Sequence, residues 1–231
     1  MATATMGWVV PFLLQSEVVD PSCPCSKAKL NALDRPFAGT RNAGASTVSD
    51  ISIGLIYALV VGLDAVEIAR AHGDIPGYLE DLVVFAETVV LNGALTQLSK
   101  VLVARPRPLV YGLASDAPEL RDAENFVSFY SAHTANAFSL GIAFAQTFAR
   151  RHSSTLARAL VYGAAILAAG TIGTLRVLSG KHFPSDVLTG AVVGSGIGLL
   201  VPLLHARDAS TQLTFLTGPG GATLQLSMVV P

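Results

Sequence analysis

Charge is what this chain has least of. Asp, Glu, Lys and Arg make up 13% of its 231 residues, against about 25% in an ordinary soluble domain. Hydrophobic residues account for 51%, and mean hydropathy is +0.54. Such a composition suits a lipid environment. The net charge of −1 lacks the basic bias that nucleic-acid binding requires, so nucleic acid is excluded as a partner. Cysteine is scarce too. Cys23 and Cys25 sit in Pro-Ser-Cys-Pro-Cys, too few ligands for a zinc site and awkwardly spaced for a mutual disulfide. They are expected to be loop cysteines without chemistry. The alternative is pairing, with each other or with another chain, in an oxidising compartment. A recognisable secretion signal is also missing: residues 1 to 15 have no basic start, and Pro11 interrupts the apolar run from 8 to 14. That stretch spans no bilayer, and is read either as a peripheral segment or as the start of a chain truncated ahead of a lost first helix.

Long apolar runs are what the chain does have. Residues 1 to 48 are mixed and read as a mostly loop N-terminal segment, with one short helix near 26 to 34. Residues 49 to 206 carry five helical segments, at 49–71, 78–103, 132–151, 155–178 and 184–205. The fourth has no charge between Arg158 and Arg176, and the fifth none between Asp186 and His205. Each approaches the roughly 20 apolar residues of a membrane span. Gly and Ala recur through both, which lets helices approach closely in lipid. The expected fold is all-α: a membrane-embedded up-down bundle of about five long helices. A soluble helical bundle would show similar patterns. Asp64, Glu67 and Glu87 interrupt the first two helices and are expected to face the bundle interior, bonded to polar neighbours such as Asn92 or Thr96. After residue 206 the pattern alternates over 212–217 and 222–227, with Gly218-Pro219-Gly220-Gly221 between. The tail, 207 to 231, therefore reads as a short β-hairpin with a four-residue loop.

Three motifs carry chemistry. They are Lys100-x6-Arg107-Pro108, Ser131-Ala132-His133, and Arg176-x5-His182-x3-Asp186. Helix parity sends all three to one end of an up-down bundle. Lys100 falls in the last turns of the second helix, and Pro106 and Pro108 then present Arg107 from extended backbone. Arg grips phosphate oxygens with a planar fork, and Lys adds a point charge. Ser131 is placed to cap the third helix, whose opening N–H groups at Ala132 and His133 form a phosphate cradle. Ser179-Gly180 ends the fourth helix and Pro184 opens the fifth. Asp186 lies one turn beyond His182, where its carboxylate can accept from Nδ1–H and leave Nε2 as nucleophile. Taken singly, each motif also reads as a helix-end cluster or a cap. No ligand spacing for a metal is present, and no cofactor is implied.

The set resembles the type 2 phosphatidic acid phosphatase (PAP2) superfamily, which shares its scaffold with bacterial acid phosphatases and vanadium haloperoxidases. The resemblance covers roughly residues 50 to 206. It implies a phosphatase acting on a lipid phosphate or prenyl (pyro)phosphate. His182 would form a phosphohistidine, His133 would be general acid and Asp186 the orienting partner, while Lys100, Arg107 and Arg176 would stabilise phosphate charge. Tyr130, Ala132 and Leu175 depart from the family's Pro, Gly and Ser. Those departures keep open a non-catalytic phospholipid binder, and the shared scaffold keeps open a vanadate-dependent haloperoxidase. Opposite the motif end lie Arg70, Arg150, Arg151, Arg158 and Arg207; on it, beyond the motifs, lie Arg105, Arg121 and Lys181. That excess favours a bacterial inner-membrane protein with its site facing the periplasm.

Overall fold

The computed structural model describes residues 19–21, 23, 25–70 and 73–206 in full, and 210–218 and 221–229 by backbone alone. Five long helices form the described bundle: α1 (Ala43–Arg70), α2 (Ile75–Val103), α3 (Ala132–Arg151), α4 (Thr155–Leu178) and α5 (Pro184–Leu204). The up-down, all-α architecture expected from the sequence is the fold. Four of the five, all but α3, are long and apolar enough to cross a membrane. Their outer faces expose Leu55, Leu59, Leu102, Leu160, Leu167 and Val192, a surface compatible with lipid and costly in water.

The remaining helix, α3, differs because of where it sits. It packs against α1, α2, α4 and α5, and its middle is buried from Ser139 to Ala145. Its side chains meet protein on all sides, so it needs no apolar outer face. At 20 residues it still runs about 30 Å, the thickness of a hydrocarbon core.

Helix α1 begins at residue 43, not 49. Asn42 sets the start, its Oδ1 accepting from Ala45 N–H at 3.0 Å. The six added residues put Ser49 and Asp50 about two turns inside the helix, at the motif end. Upstream, 3-10 turns at Lys27–Lys29 and Arg35–Phe37 replace the short helix expected there. Cys23 and Cys25 form a disulfide with each other, which corrects the expectation of two inert thiols. Their Cα atoms lie 4.8 Å apart, within reach of a bridge despite the spacing of two.

The acids inside the bundle also find partners other than those expected. Asp64 accepts two bonds from Arg151, at 2.8 and 2.7 Å, and Arg151 also reaches Asp81. Glu67 meets His152 and Glu87 meets His205, each at 3.1 Å. Asn92 instead donates to Asn136 at 2.8 Å. A full charge needs an opposite charge in this setting, and an amide or hydroxyl does not supply it. The C-terminal hairpin is not supported as part of the fold. Extended backbone at Ser210–Gly218 and Gly221–Val229 pairs antiparallel, but no described side chain ties it to the helices. Its strands reach Gly218 and Gly221, leaving two residues between them in place of a four-residue loop.

What positions the motifs is the seam between α3 and α5. Gly190, Gly194 and Gly198 recur every fourth residue and face α3. A Cβ on Gly190 would sit 2.8 Å from the Ser131 carbonyl oxygen, and one on Gly194 or Gly198 would strike the Ala135 or Ser139 carbonyl. The two helices touch backbone to backbone. Gly194→Val is expected to cost about 1–3 kcal/mol by overpacking, or several degrees of Tm at about 2–4 °C per kcal/mol for a chain of this size. Gly196→Val, on a position with open space around it, should leave Tm unchanged in the same detergent melt.

Candidate active site

Backbone hydrogen bonds knit the three motifs together at one end of the bundle. Arg107 N–H donates to Asn125 O at 2.8 Å and Ser128 N–H to Arg105 O at 2.8 Å, joining the first motif to the segment before α3. Leu109 N–H donates to Gly180 O at 3.1 Å, and Ser131 N–H to Asp186 O at 3.2 Å, bringing in the third. Gly180 takes φ +73°, and a Cβ there would collide with the Thr40 carbonyl, so only glycine lets this turn close. Arg107 leaves α2 in extended conformation, as the two prolines predict.

At the centre is His182, 2% exposed. Its Nδ1 lies 2.7 Å from the Ser128 carbonyl oxygen. A carbonyl only accepts, so Nδ1 carries the proton and Nε2 keeps its lone pair. Here the structure corrects the sequence reading, in which the Asp186 carboxylate accepted the hydrogen bond from Nδ1–H. Asp186 Oδ2 is 4.0 Å from Nδ1, beyond hydrogen-bond range. Its carboxylate is occupied otherwise: it accepts from Ser128 Oγ, from Phe183 N–H at 2.8 Å and from Arg105. Asp186 thus caps α5 from its third position and orders the Ser128 segment whose carbonyl holds the imidazole.

Positive charge surrounds this ring. Burial first, then Arg176, Arg107 and Lys100, hold the His182 pKa well below the ordinary imidazole value. The imidazole is therefore neutral, as a nucleophile must be. Arg107 is 4% exposed and Arg176 5%. In each the buried Nε has no hydrogen-bond partner, although two unpaired guanidinium nitrogens are costly to bury. Their outer nitrogens meet carboxylates at the site's rim: Arg107 pairs with Glu124, and Arg176 with Asp50 at 2.8 Å. Both acids are about half exposed. The same Asp50 Oδ1 lies 2.9 Å from His133 Nε2. Carboxylates thus stand against guanidinium faces that would suit phosphate oxygens.

The remaining candidates fall in place around them. Lys100 lies in the last turn of α2, its carbonyl accepting from Ala104 N–H. Ser131 caps α3, but its hydroxyl accepts from Thr134 N–H at 3.4 Å and Thr134 Oγ1 at 2.9 Å, and it is fully buried. The cap therefore takes up the Ser131 side chain, and Ala132 and His133 open the helix. Lys181 adds a further cation, its pKa lowered by burial and then by Arg107 and Arg176.

Sequence reasoning missed three residues. Asp50 fell inside the first helical segment, 49–71, but belonged to none of the three motifs and was assigned to no site. Arg105 was counted as background charge, yet it bridges two fully buried carboxylates, Asp186 and Asp34 (2.7 Å), donates to Ser185 Oγ at 2.8 Å and stacks 4.3 Å over the Phe183 ring. Asp34 was read as the end of a short helix near 26 to 34 and given no role. It accepts from Ser185 N–H at 3.0 Å, Ser185 Oγ at 2.6 Å and Asn31 Nδ2 at 2.7 Å. The repeated Arg-Pro in Arg105-Pro106-Arg107-Pro108 is the one signal that set Arg105 apart. Among the described residues, no three His, Cys, Asp or Glu side chains converge as metal ligands.

The PAP2 superfamily model matches residues 81–209, more than half of the chain. This chain belongs to the PAP2 superfamily. Two relatives, described as lipid A 1-phosphatases of Rhizobium johnstonii and Rhizobium etli, are each 34% identical over 137 residues, 58% of this chain. The match covers 50% and 53% of those proteins, so the chain spans about half the length of the curated relatives it matches. A transmembrane PAP2-type phosphatidylglycerolphosphate phosphatase from Bacillus subtilis superposes with TM-score 0.53 at 23% identity, covering 90% of this chain and all of the other. That likeness shows a shared fold. With four apolar span candidates, this PAP2 chain is an integral membrane protein.

The Asp34 contact gives a test with a definite sign. Burial alone would raise its pKa, but hydrogen bonds from Ser185, Arg105 and Asn31 outweigh it and hold the carboxyl below the ordinary 3.8. A depressed carboxyl contributes stability above its unfolded pKa, lost as pH falls through the folded value. Asp34→Asn is therefore expected to lower Tm at pH 7, with the gap from wild type closing below about pH 4. A gap independent of pH in detergent melts would place the effect in packing and not in charge.

Proposed function

We propose that this PAP2 protein is a metal-independent phosphatase that hydrolyses a lipid phosphate, or a prenyl (pyro)phosphate, through a phosphohistidine on His182. One observation carries the reading: a buried, neutral imidazole with Nε2 left free stands amid Lys100, Arg107 and Arg176. Substrate phosphate replaces Asp50 and Glu124 against the two guanidinium groups and meets their unpaired Nε atoms. The Nε2 lone pair of His182 attacks phosphorus. The N–P bond forms, the P–O bond to the lipid breaks, and the departing oxygen takes a proton from His133. The anionic substrate favours the protonated His133 this step needs. Water then attacks phosphorus and gives its proton to His133, and the N–P bond breaks to restore His182. Through the second step the Ser128 carbonyl and the Asp186 charge stabilise the cationic imidazole. Asp186 is on this account a positioning residue, acting through Ser128, Arg105 and the α5 cap. Ala132 and the start of α3 supply the remaining phosphate contacts. The cations leave little for a metal to add, because phosphoryl transfer depends chiefly on positioning and charge stabilisation.

The curated relatives, described as lipid A 1-phosphatases, add a lipid A phosphate to the substrate class. Positive charge gathers at the end opposite the site, where Arg70, Arg150, Arg151 and Arg158 lie, and a disulfide sits on the site's side. Both favour a bacterial inner-membrane protein with its site in the periplasm. The catalytic unit spans 49–206, and the segment before it contributes Asp34.

Phosphate release from a lipid phosphate in detergent should persist in EDTA and be inhibited by vanadate. Strict dependence on added Mg²⁺ would overturn the assignment. His133→Ala should slow hydrolysis of an alkyl phosphate by about 10²–10⁴, as expected for a lost general acid. It should matter much less on p-nitrophenyl phosphate, whose leaving group needs no proton. An equal loss on both substrates would place His133 in binding. In the kcat/KM profile, corrected for substrate ionisation, the acid limb due to His182 should fall below pH 6.5. A limb above that value would contradict a depressed His182.

A further inference from the structure

Helices α1, α3 and α4 meet at the site end, where Asp50 of α1 joins His133 of α3 to Arg176 of α4. Just below, the same three-helix seam is filled by Ile53 and Ile56 packed on Ala137, Ala169 and Ile172. Further along it opens. A groove of about 240 Å³ is lined by Ile56, Leu59, Val60 and Leu63 from α1 and by Ala164 and Ala168 from α4, with Gly141 and Phe144 of α3 at its floor. Every lining side chain is apolar. Small residues make the depression: Ala164 and Ala168 are exposed into it, and at Gly141 even a Cβ would meet the Ala165 Cβ at 3.0 Å. At 1.5 Å per residue, Ile56 lies about 9 Å along the axis from Asp50, and Leu63 about 20 Å. The groove thus occupies the middle of a hydrocarbon layer about 30 Å thick.

We propose that this groove holds the hydrocarbon chain of the lipid whose phosphate occupies the site above it. The proposal rests on the phosphatase reading for its ligand, and commits that ligand to a long-chain amphiphile. Two observations argue for the substrate's own chain over bulk lipid. The groove lies on the seam whose upper end carries the His133, Asp50 and Arg176 contacts. The half-exposed Ile53 and Ile56 also give an unbroken apolar path from one to the other. A phosphate held by the cations leaves its chain running down this path, with the polar end in water and the apolar end in lipid.

The direct experiment is photocrosslinking in the His182→Ala protein, with a lipid phosphate carrying a diazirine mid-chain. Labelled peptides should cover 56–63 and 161–168, and excess unlabelled lipid phosphate should suppress the label. A neutral diacylglycerol with the same diazirine chain should label no more than background. Equal labelling by the neutral lipid would overturn the proposal and make the groove ordinary lipid-facing surface. As a second reading, Ala168→Phe should lower kcat/KM at least tenfold on a long-chain lipid phosphate, and less than twofold on its dihexanoyl analogue. Equal losses on both, or none on the long chain, would also overturn it. Competed labelling by a lipid phosphate that wild-type protein does not hydrolyse would sink the phosphatase reading and leave the groove standing.

Discussion

One guanidinium holds this site together. Arg105 sits between Asp34 and Asp186, two carboxylates with no exposed surface. Either acid buried alone would be costly, and one shared cation, with hydroxyl and amide donors around it, gives both carboxylates partners. Asp186 then fixes Ser128 and the start of α5, and Ser128 fixes the tautomer of His182. The chain of dependence runs from an N-terminal loop to the reacting nitrogen without touching substrate.

The second constraint is steric. Carbonyls of α3 rest against Gly190, Gly194 and Gly198 of α5, so the cap of α3 and the first turn of α5 are held in one relative position. The Ser131 amide bonds the Asp186 carbonyl across this contact, tying His133 and His182 to a single rigid junction. Flexible loops alone would leave the two imidazoles in no fixed relation, and phosphoryl transfer is sensitive to such placement.

Much of this was legible in the chain. Apolar length gave the helices, the turn residues gave their ends, and parity brought the motifs to one face. What escaped depended on contacts far apart in sequence. Asp34 meets Arg105 across 71 residues, and no local pattern marks a loop aspartate as buried. Asp186 follows His182 at a spacing that suits a direct bond, yet its neighbours Phe183 and Ser128 claim its oxygens first. Asp50 lay within the first helical segment, but nothing local shows that it meets Arg176 across 126 residues. Asp64 was rightly placed inside the bundle, but a buried carboxylate seeks a cation more strongly than an amide, and Arg151 supplies it.

The central claim is that His182 Nε2 carries the phosphoryl group. Rapid quenching of the enzyme with labelled lipid phosphate, followed by peptide mapping, tests it most directly. The account predicts acid-labile, base-stable label on the peptide containing His182, present in wild type and absent in His182→Ala. Label that persists in His182→Ala, or that maps to His133, would contradict it.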